Sequence, residues 1–147
     1  MSEKKEKEMS REPEIVDSVP LVPFKVIDTD IPFFRDEDCQ EMVEDARLII
    51  LQALDPDDEI LEWELAPTTQ EYKKGDYVTM DLDSKKLWEE SWYRDPRSGK
   101  IERAWRIHVN FIGNRISESA LEKDRTRLAD LEKRLEQRLS QTISTIQ

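Results

Sequence analysis

Apolar and polar residues repeat with two different periods along this chain. Between Asp36 and Leu54 the apolar residues recur every three or four positions, which is typical of a helix with one buried face. Three acidic residues begin the segment, where a helix dipole favours negative charge, and Asp55-Pro56 follows it as a stop signal. The pattern therefore predicts a core helix over 36–54. Its apolar positions are Cys39, Met42, Val43, Ala46, Ile50, Ala53 and Leu54.

After this segment the period changes to two. Residues 61–65, 78–82 and 101–111 alternate between apolar and polar side chains, as half-buried strands do. Residues 87–93 could form a fourth strand or a short helix, and the pattern leaves both open. The sequence thus predicts an antiparallel meander of three or four strands.

The loop at 95–100, Asp-Pro-Arg-Ser-Gly-Lys, is typical of a type I turn followed by a glycine bulge. An extra residue at Gly99 would pair Arg94 with Ile101 instead of Lys100. That register brings Trp92 and Trp105 onto one face of the hairpin, together with Trp88 and Ile107.

The two ends of the chain differ from this middle part. Residues 1–13 are nearly all charged or small, and we expect them to be disordered. In residues 14–35, prolines 20, 23 and 32 disfavour a helix, and an edge strand or an extended arm around Phe24 to Ile27 is expected.

The last segment, 117–147, carries a narrow apolar stripe flanked by charges of both signs. A helix is expected from Ser119, which forms a capping box with Glu122, to about Ile143. Asp124 and Arg138 interrupt the heptad, so at most a short coiled coil is indicated. The helix could project toward a partner or fold back on the sheet, and the sequence favours neither.

Together these patterns predict an α+β fold: one core helix packed on a three- to four-stranded antiparallel meander, with a long C-terminal amphipathic helix. The expected parts are a tail (1–13), an arm (14–35), the core domain (36–116) and the C-terminal helix (117–147).

Charge is distributed unevenly along the chain, whose net charge is −11. Residues 14–66 hold 16 acidic and 3 basic side chains, whereas residues 93–115 hold 2 acidic and 6 basic ones. The acidic part repels phosphate backbones and favours basic protein partners. Nucleic-acid binding is therefore expected only locally, if at all.

The chain has one cysteine and one histidine, so no intramolecular disulfide can form and the usual ligands of a zinc site are missing. We expect no metal and no cofactor. With no run of 18 apolar residues, no membrane association is expected, and the cytoplasm or the nucleus is the expected compartment.

Candidate catalytic groups are weak. Cys39 stands among acidic residues that raise a thiol pKa, and His108 alternates with residues expected to be buried, which would place it on the surface. The acidic loop at 55–59 has no glycine for a calcium-binding turn, and Asp81 with Asp83 has no phosphate loop beside it. We therefore expect no enzymatic activity.

The leading hypothesis is a non-catalytic protein-binding or assembly subunit, an adaptor that acts through its C-terminal helix and N-terminal arm. Self-association through the C-terminal helix is one form that this binding could take. The residues expected to contact a partner are Phe24, Leu128, Leu131, Leu135 and Leu139.

The alternative is local nucleic-acid binding through the aromatic, basic hairpin 88–106. Four basic residues would contact phosphates or an acidic partner: Arg97, Lys100, Arg103 and Arg106. The opposing interpretation is that the tryptophans belong to the core and the arginines pair with the acidic half of the same molecule, residues 14–66.

Overall fold

The protein is mostly β-structure in a computed structural model that describes residues 12–57, 63–80, 82–83, 90–104 and 110–146. Eleven strands lie in these residues: β1 (Ile15–Val16), β2 (Phe24–Ile31), β3 (Phe33–Phe34), β4 (Arg47–Ala53), β5 (Trp63–Thr68), β6 (Tyr77–Val78), β7 (Leu82–Asp83), β8 (Ser91–Arg94), β9 (Ile101–Ala104), β10 (Asn110–Phe111) and β11 (Arg115–Ile116). Two helices follow them: α1 (Glu118–Lys123) and α2 (Arg125–Ile146).

Nine of the strands form two sheets. The larger sheet has the order β1-β11-β6-β2-β4-β5, and its neighbours are antiparallel except for the parallel pair β1 and β11. The smaller sheet has the antiparallel order β3-β8-β9, and β7 and β10 form a separate antiparallel pair. The predicted α+β fold, with a core helix on a meander and a long C-terminal helix, is therefore wrong.

The core helix predicted over 36–54 does not form. Its second half is strand β4, in which five consecutive residues, from Leu48 to Gln52, are buried. A strand that is covered on both faces takes a continuous apolar run, and the β-branched pair Ile49-Ile50 suits it. The helical spacing was misleading because a short apolar run contains such spacings whether it is a helix or a strand.

The first half of that segment is a loop, which begins where the helix was expected to begin. The Asp36 carboxylate accepts hydrogen bonds from the backbone N–H groups of Gln40 and Glu41, at 3.0 and 2.7 Å. The hydrogen bond from Glu41 contributes most to holding the pKa of Asp36 below its ordinary value. Cys39 has φ 55°, a left-handed conformation that interrupts any helix. The acidic residues thus stabilise a loop, as short polar side chains often do.

The segment 14–35 is also placed differently from the prediction. Strand β2 is an interior strand of the larger sheet, between β6 and β4, and not an edge strand or a free arm. Its pairing with β4 shifts twice, between Val26 and Asp28 and between Asp28 and Ile31. Asp30 lies at the second shift with φ 58°, as is common at β-bulges.

The hairpin formed by β8 and β9 has the predicted register. Arg94 pairs with Ile101, and Gly99 has φ 73°, so the glycine bulge is confirmed. Residues 91–94 are strand, while Trp88, Trp105 and Ile107 lie outside the described residues. The predicted shared face of the tryptophans therefore stays a prediction.

The C-terminal segment forms two helices in place of the single one expected from Ser119. Ser117 is the N-cap of α1, and its hydroxyl accepts a hydrogen bond from the Ala120 N–H. Asp124 ends α1, and α2 begins at the next residue. The capping box predicted for Ser119 and Glu122 is therefore wrong by two residues.

Three apolar clusters hold the elements together. The first lies between the two sheets and contains Ile31, Phe33, Val43, Ala46, Leu48, Ile50, Tyr93 and Ala104. The second contains Val26, Ile49, Leu51, Tyr72, Val78 and Phe111. The third, called here the helix cluster, contains Leu54, Leu128 and Leu131, with Val19, Tyr77, Leu121 and Leu135 packed against it. Alternate residues of β4 thus supply different clusters, which is why this strand is buried throughout.

A close contact connects the loop after β5 to the turn before β11. The Tyr72 hydroxyl accepts a hydrogen bond from the Gly113 N–H at 2.7 Å and lies 2.8 Å from the Gly113 carbonyl oxygen. The Tyr72 ring packs against Phe111, with 5.7 Å between ring centroids. A Cβ atom added to Gly113 would collide with the Phe111 ring and the Thr79 carbonyl oxygen. Only glycine fits at this position.

Candidate functional site

The residues predicted to bind a partner are largely part of the protein's own core. Phe24 is partly buried and packs against the second cluster from strand β2. Leu128 and Leu131 are only 5% and 6% exposed, and Leu135 is partly buried beside them. The side chain of Leu139 lies outside the described part of the structure. The apolar stripe of α2 is therefore occupied intramolecularly, at least as far as Leu135.

Polar contacts fix α2 on both of its flanks. On one side Lys25 pairs with Glu132 at 2.6 Å. On the other, Arg138 donates hydrogen bonds to the carbonyl oxygens of Asp55 and Pro56. The helix is thus held against the sheet over most of its length and folds back, the second of the two arrangements considered from the sequence.

The basic hairpin uses its arginines internally. Arg97 donates three hydrogen bonds to the buried Asp95 carboxylate, one from its backbone and two from its guanidinium group, at 2.7 to 3.1 Å. Arg103 pairs with Glu90 at 3.1 Å, and Lys100 is exposed. Arg106 lies outside the described residues. Arg97 and Arg103 thus pair within the molecule, as the opposing interpretation expected, but their partners Asp95 and Glu90 lie in or beside the hairpin and not in the acidic segment 14–66.

The Asp95 contact predicts a pH dependence of stability. The hydrogen bond from Arg97 holds the pKa of Asp95 below its ordinary value. A carboxylate with a lowered folded-state pKa stabilises the protein above its unfolded pKa of about 3.9, and this contribution is lost as the pH falls through the folded value. The unfolding free energy of Asp95→Asn should therefore fall less than that of the wild type between pH 6 and pH 3, as measured by urea denaturation.

Arg97→Ala provides a second variant for the same measurement. It removes the guanidinium group and should weaken the pH dependence in the same direction as Asp95→Asn. Unchanged pH dependence in both variants would show that this pair does not contribute.

The candidate catalytic groups do not form a site in the described residues. Cys39 is half-buried, and its pKa is raised, first by burial and then by the charge of Asp36. This opposes the thiolate form that a nucleophile requires. His108 and Asp81 are outside the described residues, and within those residues no group of three or more metal-binding side chains lies close enough to hold a metal ion.

A shallow groove of about 430 Å³ lies beside α2. Its apolar floor includes Tyr77, Leu121 and Leu128, and glutamates occur along its rim. Burial is the main cause that raises the pKa of Tyr77 well above its usual range, and the hydrogen bond to Glu132 raises it further. The phenol therefore stays protonated at neutral pH. Of the three glutamates that line the groove, Glu122 pairs with Arg125 and Glu132 with Lys25, so Glu118 supplies most of its net negative charge.

Leu21 is the most exposed large apolar side chain among the described residues, at 85%. It lies in the loop between β1 and β2, and sequence patterns did not single it out. The available signal was its position between Pro20 and Pro23, since prolines commonly bracket a surface loop. We call residues 17–23 the Leu21 loop.

Hydrogen bonds from helix α2 fix the backbone of the Leu21 loop. The Arg127 guanidinium group donates hydrogen bonds to three consecutive carbonyl oxygens, those of Val19, Pro20 and Leu21, at 3.1 to 3.3 Å. Asp124 lies 3.4 Å from the same guanidinium group. Val19 packs against the helix cluster, and the carbonyl oxygen of Pro23 accepts a hydrogen bond from Leu54. An apolar side chain is thus presented to solvent on a backbone that is fixed at both ends.

In the described residues, no helix is long and apolar enough to cross a membrane. Comparison of the chain with protein-family models, with curated proteins and with solved structures found no match in any of the three.

Proposed function

We propose that this protein is a non-catalytic protein-binding subunit of an assembly and that it contacts its partner through the Leu21 loop. The observation that carries the proposal is the 85% exposure of Leu21 on a loop whose backbone is fixed by Arg127. The contact lies in the N-terminal segment 14–35 where an interaction was expected, but it uses Leu21 in place of Phe24.

Rigid presentation favours binding because less conformational entropy is lost when the partner docks. Burial of a leucine side chain in a pocket on a partner contributes about 1.5 to 3 kcal/mol. An isolated exposed leucine is ordinary on a protein surface. Leu21 differs from such residues because one arginine donates hydrogen bonds to three successive carbonyl groups of its loop.

The C-terminal helix has a supporting role in this proposal. Its leucines belong to the helix cluster, and its Arg127 side chain orients the loop. The nucleic-acid alternative has less support, because Arg97 and Arg103 already pair with Asp95 and Glu90.

The test compares Leu21→Ser with Ile101→Ser, a control at another exposed apolar position (39% exposed). Each full-length variant is purified from cells that express the protein naturally, and co-purifying proteins are quantified by mass spectrometry. A partner recovered stoichiometrically with the wild type and with Ile101→Ser should be lost from Leu21→Ser. With that partner in hand, calorimetry should show a Kd about thirtyfold higher for Leu21→Ser, which corresponds to about 2 kcal/mol.

Both variants should keep the wild-type unfolding midpoint, because neither side chain is part of a buried cluster. An unchanged Kd for Leu21→Ser, with the fold intact, would overturn the proposal.

A further inference from the structure

Strand β1 is one edge of the larger sheet. Among the described residues it pairs only with β11, in parallel, with Ile15 beside Arg115 and Val16 beside Ile116. The carbonyl oxygen of Glu14 accepts a hydrogen bond from the N–H group of Arg115 in β11, and that of Val16 accepts one from Ser117, the residue after β11. Because successive residues of a strand direct their backbone groups to opposite edges, the N–H and C=O groups of Ile15 point away from β11.

The side chains along this edge form a distinctive set. Ile15 is 58% exposed, although large apolar residues in strands are usually covered. Three carboxylates flank it within six residues and all are exposed: Glu12, Glu14 and Asp17. An edge with free backbone groups can accept another strand, and the side chains beside it decide which one.

The charges determine what kind of strand fits. If two copies of the chain paired through β1, their carboxylates would lie within a few ångströms of one another, and like charges across a strand pair are destabilising. A strand that carries lysine or arginine at every second position would instead place its cations on the face of Glu12 and Glu14, which are two residues apart. Its intervening residues could be apolar and would cover Ile15.

We propose that the edge of β1 opposite β11, which is unpaired among the described residues, binds an extended segment of a partner protein in which basic and apolar residues alternate, and that the segment adds to the sheet as a further strand. Backbone hydrogen bonds to Ile15 would supply the register, and the three carboxylates would select for positive charge. This surface does not involve Leu21 and does not depend on the function proposed for the Leu21 loop.

The probe is a blocked ten-residue peptide of alternating lysine and valine, titrated into the isotopically labelled full-length protein and followed by NMR. We expect shifts of the Glu14 to Asp17 amide signals and slower hydrogen exchange of the Ile15 N–H group. Two control peptides separate the contributions. One replaces lysine by glutamate, and the other is methylated at every backbone nitrogen, which keeps the charges and removes the N–H donors. Neither control should bind.

Variants of the protein test the two parts of the site separately. Ile15→Pro removes the N–H group that faces the free edge and leaves the carbonyl groups that bond to β11, so it should abolish binding without unfolding the protein. Neutralising Glu12, Glu14 and Asp17 together as amides should weaken binding about tenfold. A matched triple variant at Glu122, Asp130 and Glu136, on the two helices, changes the net charge equally and should leave the Kd unchanged.

Leu21→Ser should bind the peptide like the wild type, so that a failure of this proposal is distinguishable from a failure at the Leu21 loop. Equal binding of the methylated peptide would show nonspecific attraction of a cation and overturn the proposal. Absence of binding by the lysine-valine peptide would also overturn it and would leave the carboxylates as charges that only protect an edge from aggregation.

Discussion

Gly113→Ala should destabilise the protein more than the same substitution at either of the other two glycines. The new Cβ atom would overlap the Phe111 ring and the Thr79 carbonyl oxygen, neither of which can move freely because Phe111 is buried and the carbonyl belongs to the backbone. Relief of the collision would also displace the backbone that pairs with the Tyr72 hydroxyl. Overpacking of this kind costs about 3 kcal/mol, a large part of the stability of a small domain.

The measurement is urea denaturation followed by tryptophan fluorescence, and Gly99→Ala is the matched control. Gly99 also has no side chain, and its positive φ of 73° strains any replacement, but a Cβ atom there meets nothing within 4 Å. Its cost should be about 1 kcal/mol. Equal losses of unfolding free energy in the two variants would mean that the contact at Gly113 is not tight.

Leu131→Ala should also cause a large loss, about 2 to 5 kcal/mol, because it leaves a cavity in the helix cluster. Leu131 is 6% exposed and packs with Leu54 and Leu128, which connects α2 to the end of β4. The expected result is a lower urea midpoint for the full-length protein.

The control for this prediction is Leu21→Ala, which removes the same atoms from a side chain that is 85% exposed. It should change the unfolding free energy by less than about 0.5 kcal/mol. If Leu131→Ala were equally mild, α2 would not be an integral part of the core, and its stripe would again be available to a partner.

Some local sequence signals predicted the structure correctly, whereas others, such as the acidic residues at Asp36 and the capping box at Ser119, did not. The turn at 95–100 fixed the register of its hairpin, because a glycine with positive φ adds one residue at a definite place. The alternation around Trp63 and Leu65 falls within strand β5, which runs to Thr68. Such signals depend only on a few consecutive residues.

The overall architecture depends on partners that are distant in sequence, and there the prediction failed. The apolar run from Leu48 to Leu51 could have been part of a helix or a strand covered on both faces, and only the distant residues that pack on those faces decide between them. Strand β1 shows the same difficulty, because two residues become a strand only by pairing with β11, one hundred positions later. No local pattern could have indicated that contact.

The candidate site was missed for a related reason. Apolar stripes indicate burial as readily as binding, so Leu128 and Leu131 were assigned to a partner although they serve the core. Leu21 gave no periodic signal because it lies in a loop. The role proposed for it rests on the contact with Arg127, which is more than one hundred residues away.

The paired register shifts in β2 constrain how the length of this chain could change during evolution. Between Val26 and Ile31 the strand has two more residues than the stretch of β4 opposite it, and two bulges together restore the alternation of faces. Deletion of one residue there would reverse the faces on one side of the deletion, so that either Val26 or Ile31 would point toward the wrong cluster. Deletion of two residues, which removes both bulges, would leave both side chains on their present faces. Related sequences should therefore differ from this one by zero or two residues in the segment, and seldom by one.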